Sequence, residues 1–184
     1  MRKIALSFLV VLGLFACSSD ALSVKKATSL INDFVGQHPV YESTSMHLGE
    51  RKLRFKKDSE EIEALKELES HGLLALQTNE VRKRFMSKDS IWNVRVSLTA
   101  LASDYVLDQR KNKAEVKTYL YKVQEQSEVA LKLNSKNKAT AKVKLIKRPT
   151  PFAVIAKDKN PHAEFMTKDF TLKFDKEIGW YVHK

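Results

Sequence analysis

This 184-residue chain carries a single cysteine, Cys17. With no second thiol, no disulfide can close within the chain and no paired-cysteine zinc site can form. Glycine is scarce, at 5 residues that never cluster, which excludes a Gly-rich loop able to cradle a phosphate. No G-x-S-x-G turn and no HExxH-like run occurs, and His38, His47, His71, His162 and His183 lie scattered, with no pair at helical ligand spacing. No apolar run reaches the roughly 20 residues that cross a bilayer. A metal site, a cofactor and an enzyme of the common motif-bearing classes are therefore not expected. A hydrolase survives only as a site assembled from distant residues. The adjacent Glu60 and Glu61 suit the start of a helix, where carboxylates complement the dipole.

What is present begins with a leader. Arg2 and Lys3 precede an apolar run, Ile4 to Phe15, and small Ala16 stands before Cys17. A short basic stretch, a short apolar segment and a small residue make a cleavable export signal. A lone thiol at that junction would invite stray disulfides unless it were modified. Leu14-Phe15-Ala16-Cys17 resembles the lipobox of bacterial lipoproteins. That resemblance implies cleavage before Cys17, acylation of its sulfur (palmitate among the chains) and attachment to a membrane. Ser18 after the cysteine implies sorting to the outer membrane, facing the periplasm. Residues 1–16 are thus read as signal peptide and 17–21 as a lipidated tether.

Charge is uneven along the chain. The net charge is +11, and two of those units leave with Arg2 and Lys3. Residues 17–110 hold 14 basic and 14 acidic side chains, while 111–184 hold 17 and 8. The excess therefore gives the C-terminal part a field of its own.

Val24, Ala27, Leu30, Ile31, Phe34 and Val35 recur at helical spacing, with Ser23 as cap and Gly36 and Pro39 as terminators. Residues 40–57 are polar, with one short strand candidate at Lys52–Lys56. Asp58 and Glu61 have capping-box spacing before the stripe Ile62, Leu65, Leu68, and Gly72 ends that helix in a left-handed turn. Leu73–Leu76 reads as a strand whose hairpin partner places Trp92, Val94, Val96 and Leu98 on one face. Thr99 caps a third helix through Leu101 and Tyr105. Ala64-Leu65-Lys66-Glu67-Leu68, Gly72-Leu73-Leu74 and Val94-Arg95-Val96-Ser97-Leu98-Thr99 together resemble the second half of a winged-helix domain. The resemblance implies a packing scheme for about 58–108. Its would-be recognition helix carries Glu60, Glu61, Glu63, Glu67 and Glu69 against Lys66, which would repel phosphates. Nucleic acid is not an expected partner.

Beyond residue 115 the chain alternates as strands: Lys117, Tyr119, Tyr121 and Val123; Val129, Leu131 and Leu133; Ala139, Ala141, Val143 and Leu145; Phe152–Ala156; Phe170, Leu172 and Phe174; Ile178, Trp180 and Val182. Pro149 and Pro151 bracket a bend or a sheet edge, and Asp158-Lys159-Asn160-Pro161 reads as a turn. Successive strands joined by tight turns make an antiparallel meander. The closing Gly179-Trp180-Tyr181-Val182 resembles the last strand of cystatin-like or NTF2-like lipoprotein domains.

The resulting expectation is an α+β chain. A winged-helix-like helical part, 22–108, packs with a curved antiparallel sheet, 112–184. One surface feature carries chemistry: the basic strip Lys136, Lys138, Lys142, Lys144, Lys147 and Arg148. Lysines at two-residue steps could track a polyanion or lie against anionic head groups. They could equally blunt an exposed strand edge. Aromatics do not interleave with them as a single-strand platform requires. The expected role is non-enzymatic binding or scaffolding in the periplasm, with a protein partner. The second reading is recognition of lipopolysaccharide, phospholipid or another anionic envelope polymer through Lys138, Lys142, Lys144, Lys147 and Arg148. The third is a small hydrolase.

Overall fold

A computed structural model describes residues 21–83, 89–124, 129–156 and 162–183. Cys17, the leader before it and the turn expected at 158–161 lie outside these residues. The fold is α+β, and its larger sheet is a strongly curled antiparallel half-barrel. In chain order come α1 (Val24–Gln37), β1 (Val40–His47), β2 (Gly49–Arg54), α2 (Ser59–Ser70), β3 (Leu74–Lys83), β4 (Ser90–Leu98), β5 (Val106–Arg110), β6 (Lys113–Val123), β7 (Ala130–Ser135), β8 (Lys138–Pro149), β9 (Phe165–Asp175) and β10 (Gly179–His183). Short 3-10 helices occupy Ala100–Tyr105 and Pro151–Ile155. No described helix is long and apolar enough to cross a membrane.

The half-barrel runs β1-β6-β8-β9-β10, with β5 added to β6 and β7 to β8. A separate sheet runs β2-β4-β3. At Leu48 the chain leaves one sheet for the other, and Gly49 takes φ 78° there, a left-handed value that favours glycine. Two cores result. In the first, Ala27, Ile31 and Val35 of α1 meet Ala139, Ala141, Val143 and Leu145 of β8, with Phe170, Leu172 and Trp180. In the second, Ile62, Leu65 and Leu68 of α2 meet Trp92, Val94 and Val96 of β4, together with Phe152 and with Ala114 and Val116 of β6. Strand β6 thus contributes to both.

This packing divides the chain differently from the expected 22–108 and 112–184. Helix α1 and β1 belong with the C-terminal sheet, because the apolar stripe of α1 is covered by strands far away in sequence. The stretch 22–108 is also richer in strand than a helical part would be, since β1 to β4 all lie within it. Strand β1 was not anticipated: its inward positions include Glu42 and Thr44, which hide the apolar alternation.

Local chemistry matches expectation at several points. Ser23 Oγ accepts from Lys26 N at 3.2 Å, capping α1. Gly72 has φ 71°, and Leu73 N donates to Leu68 O at 3.0 Å, closing α2. Elsewhere the side chains found other partners. Asp58 makes no capping bond to α2; its Oδ2 accepts from Arg54 N at 2.7 Å. Thr99 Oγ1 donates to Gly72 O at 2.6 Å instead of capping, and the helix after it is a single 3-10 stretch. Residues 152–156 do not resume a strand. Thr150 caps a 3-10 helix opened by Pro151, its Oγ1 accepting from Phe152 N at 3.2 Å.

Candidate functional site

Strand β8 positions the basic strip, and its alternation decides which way each cation points. Ala139, Ala141, Val143 and Leu145 are fully buried on the inner face. Lys138, Lys142 and Lys144 therefore project from the outer face, as expected. Their strand is not an edge. Along its first half β8 pairs with β7, along its last part with β6, and β9 covers its other side from Lys138 to Ile146. Both sets of ladder groups are taken. The edge-blunting explanation of these lysines is accordingly overturned.

Pairing brings further cations to that face. In the antiparallel register Lys138 lies opposite Lys173, Lys142 opposite Asp169, Lys144 opposite Thr167, and Thr140 opposite Lys132 of β7. Directly opposed residues share a face. Between Lys138–Ile146 and Phe165–Lys173 the outer face thus holds four lysines and one carboxylate, Asp169. Lys138 against Lys173 is a like-charge pair, which a sheet selected for stability alone would avoid. Lys173 Nζ lies 3.1 Å from His183 Nε2. Lys136 is exposed in the β7–β8 turn, and Arg148 is exposed at the far end of the strand.

Lys147 does not belong to this face. It continues the odd-numbered inner row, and its side chain is only 7 % exposed. Its Nζ lies 3.3 Å from Glu42 Oε1 and 4.0 Å from the centre of the Tyr119 ring. Tyr121 donates its hydroxyl proton to the same Glu42 oxygen. A bulge explains the convergence. Between Glu42 and Ser43 of β1 the register shifts past an extra residue of β6, Thr118, which donates to Glu42 O at 3.3 Å. Below the bulge Ala114 and Val116 face inward; above it Tyr119, Tyr121 and Val123 do. Buried Thr150 shares its hydroxyl proton between Lys117 O at 2.6 Å and Thr118 O at 3.0 Å. This polar layer sits on the shared strand between the two cores. It was legible only as parity: positions 139 to 147 keep one face, and nothing local says that a lysine completes it.

A second region has the shape of a site. A cleft of about 460 Å3 lies where β1, α2 and the second 3-10 helix meet, floored by Met46, Leu65 and Ile155. His47, Glu60, Arg51 and Glu61 rim it, and Arg51 Nη2 binds Glu61 Oε1 at 2.7 Å. The strongest cation and its nearest anion in the cleft therefore satisfy one another. Among the described residues no hydrogen bond joins Ser45, His47 and Glu60. Among the described residues, too, no group of three or more His, Cys, Asp or Glu could hold a metal ion.

The geometry has to speak for itself, because comparison with family profiles, characterised proteins and solved structures finds no match to this chain. Of the two regions, the outer face of β8 and β9 carries the larger excess of charge of one sign.

Proposed function

We propose that this chain is a membrane-tethered, non-enzymatic binding protein of the bacterial envelope whose binding surface is the cationic outer face of β8 and β9. The observation that carries the reading is the placement of Lys138, Lys142 and Lys144 on the outer face of a central strand. Edge protection cannot account for them there, and the opposed Lys173 adds repulsion that an anionic ligand would relieve. The ligand class is an anionic surface or polymer, which each lysine near it would favour by about 1 kcal/mol. Lys147 is withdrawn from the expected set, since it is spent on Glu42. Arg148 remains in it.

The tether rests on the resemblance of Leu14-Phe15-Ala16-Cys17 to a lipobox. Cys17→Ala should leave an unprocessed precursor without acyl label, and normal maturation of that variant would remove the lipid anchor from the account. The binding face has its own test. The chain from Ser18 onward keeps every described residue, and it should sediment with phosphatidylglycerol vesicles or retain polyphosphate at low salt. Failure to bind either would end this reading and leave scaffolding through a protein partner.

A further inference from the structure

Strand pairing brings together an outward cluster that spans four strands near one end of the half-barrel. Tyr41 of β1 lies opposite Leu120 of β6, and Leu120 lies opposite Arg148 of β8. One step along, Lys122 of β6 lies opposite Ile146 of β8, which lies opposite Phe165 of β9. Tyr41 and Phe165 are 42 % and 48 % exposed, unusual for aromatic rings on a sheet with two covered cores. Leu120 and Ile146 between them are half-buried, and Lys122 and Arg148 are exposed. Lys144 completes the border, its Nζ held 4.0 Å from the centre of the Phe165 ring. An apolar centre carrying two exposed rings is thus ringed by three cations and runs on into the cationic face already described.

We infer that this cluster is where the protein lies on an anionic lipid bilayer, with Tyr41 and Phe165 entering the head-group region and Lys122, Lys144 and Arg148 meeting lipid phosphates. The inference deepens the anion-binding reading and rests on it. A soluble polyanion would use the cations and leave the rings in water. A bilayer uses both, because its interface accepts amphipathic rings and its head groups supply negative charge. Cations that border an apolar centre match that layered chemistry, with phosphate at the surface and hydrocarbon beneath.

The test uses the chain from Ser18 onward with Phe165→Trp. Trp92 and Trp180 are buried in the two cores, so the new indole reports on the surface. With phosphatidylglycerol vesicles its emission should move to shorter wavelength and be quenched by lipids brominated in their acyl chains, whereas polyphosphate should produce neither change. The double variant Tyr41→Ser with Phe165→Ser should bind those vesicles at least about tenfold more weakly, with polyphosphate binding unchanged. Vesicle binding that persists without indole quenching, or that the double variant retains in full, would overturn the inference while leaving the anion-binding face standing. Polyphosphate binding without any vesicle binding would overturn it as well. Binding to neither would remove the underlying reading itself.

Discussion

The three-stranded unit and the half-barrel each lay one amphipathic helix on an antiparallel sheet, and both bury a tryptophan and a row of branched residues. They differ in how they treat charge. In the smaller unit three arginines are matched: Arg51 binds Glu61, Arg95 binds Glu50 and Arg82 binds Glu80. Glu50 also accepts from Asn79 Nδ2 at 2.7 Å. On the half-barrel Lys147 is matched inside by Glu42 and Arg110 outside by Asp108, while between β8 and β9 the outer lysines outnumber their carboxylates. Packing alone does not distinguish the two regions. The unbalanced outer face does, with four lysines to one carboxylate.

The largest expected effect is on the half-barrel core. Trp180 packs against Phe174 with ring centres 5.6 Å apart, and Trp180→Ala should cost about 3–5 kcal/mol. The exposed Ile178, two residues away, should tolerate alanine within about 0.5 kcal/mol. Equal melting temperatures for these two variants would show that the closing strand does not seal the core.

Lys147 comes next. Lys147→Ala leaves Glu42 half-buried beside Tyr121 without its cation, and should cost about 3 kcal/mol. Lys142→Ala, on the opposite face of the same strand, should stay within about 0.5 kcal/mol. A small loss for Lys147 and a large one for Lys142 would reverse the assignment of inner and outer faces. Because β6 contributes to both cores, unfolding in denaturant should also follow one transition, monitored by both tryptophans. Two separated transitions would mean that the polar layer at Thr118 and Thr150 does not couple the halves.

The smallest effect belongs to the matched surface charges. Arg95 and Glu50 are both more than half exposed, so Arg95→Ala should cost no more than about 1 kcal/mol and less in high salt.

Much of this was legible in the chain, and the failures share one physical cause. Helices α1 and α2, the left-handed Gly72 and the buried face of β4 rest on local periodicity and caps, so they could be read directly. The inner row of β8 followed from alternation alone. Strand β1 was invisible because Glu42 occupies an inward position, which only the distant Lys147 and Tyr121 make tolerable. The bulge at Thr118 placed Lys117 on the wrong face, since a register shift leaves no mark on one strand by itself. The assignment of α1 to the C-terminal sheet, the central place of β8 and the cluster around Phe165 all depend on which strands become neighbours. Sequence periodicity says which face a residue takes; it does not say what lies beside it.

Binding through the outer face of β8 and β9 should depend on where the charge sits and not on its total. Two triple variants of the chain from Ser18 onward make the comparison at equal charge. Lys138, Lys142 and Lys144 become glutamine in one, and Lys52, Lys56 and Lys57, all exposed around β2, become glutamine in the other. Affinity for phosphatidylglycerol vesicles is then measured from low salt to 0.15 M, where the Debye length is about 8 Å. At about 1 kcal/mol per lysine the first variant should lose about 100-fold in affinity at low salt, and the second should bind like the unaltered chain. Binding by the unaltered chain should itself fall steeply as salt rises. Equal losses in the two variants would show that net charge alone drives association, and would contradict the account.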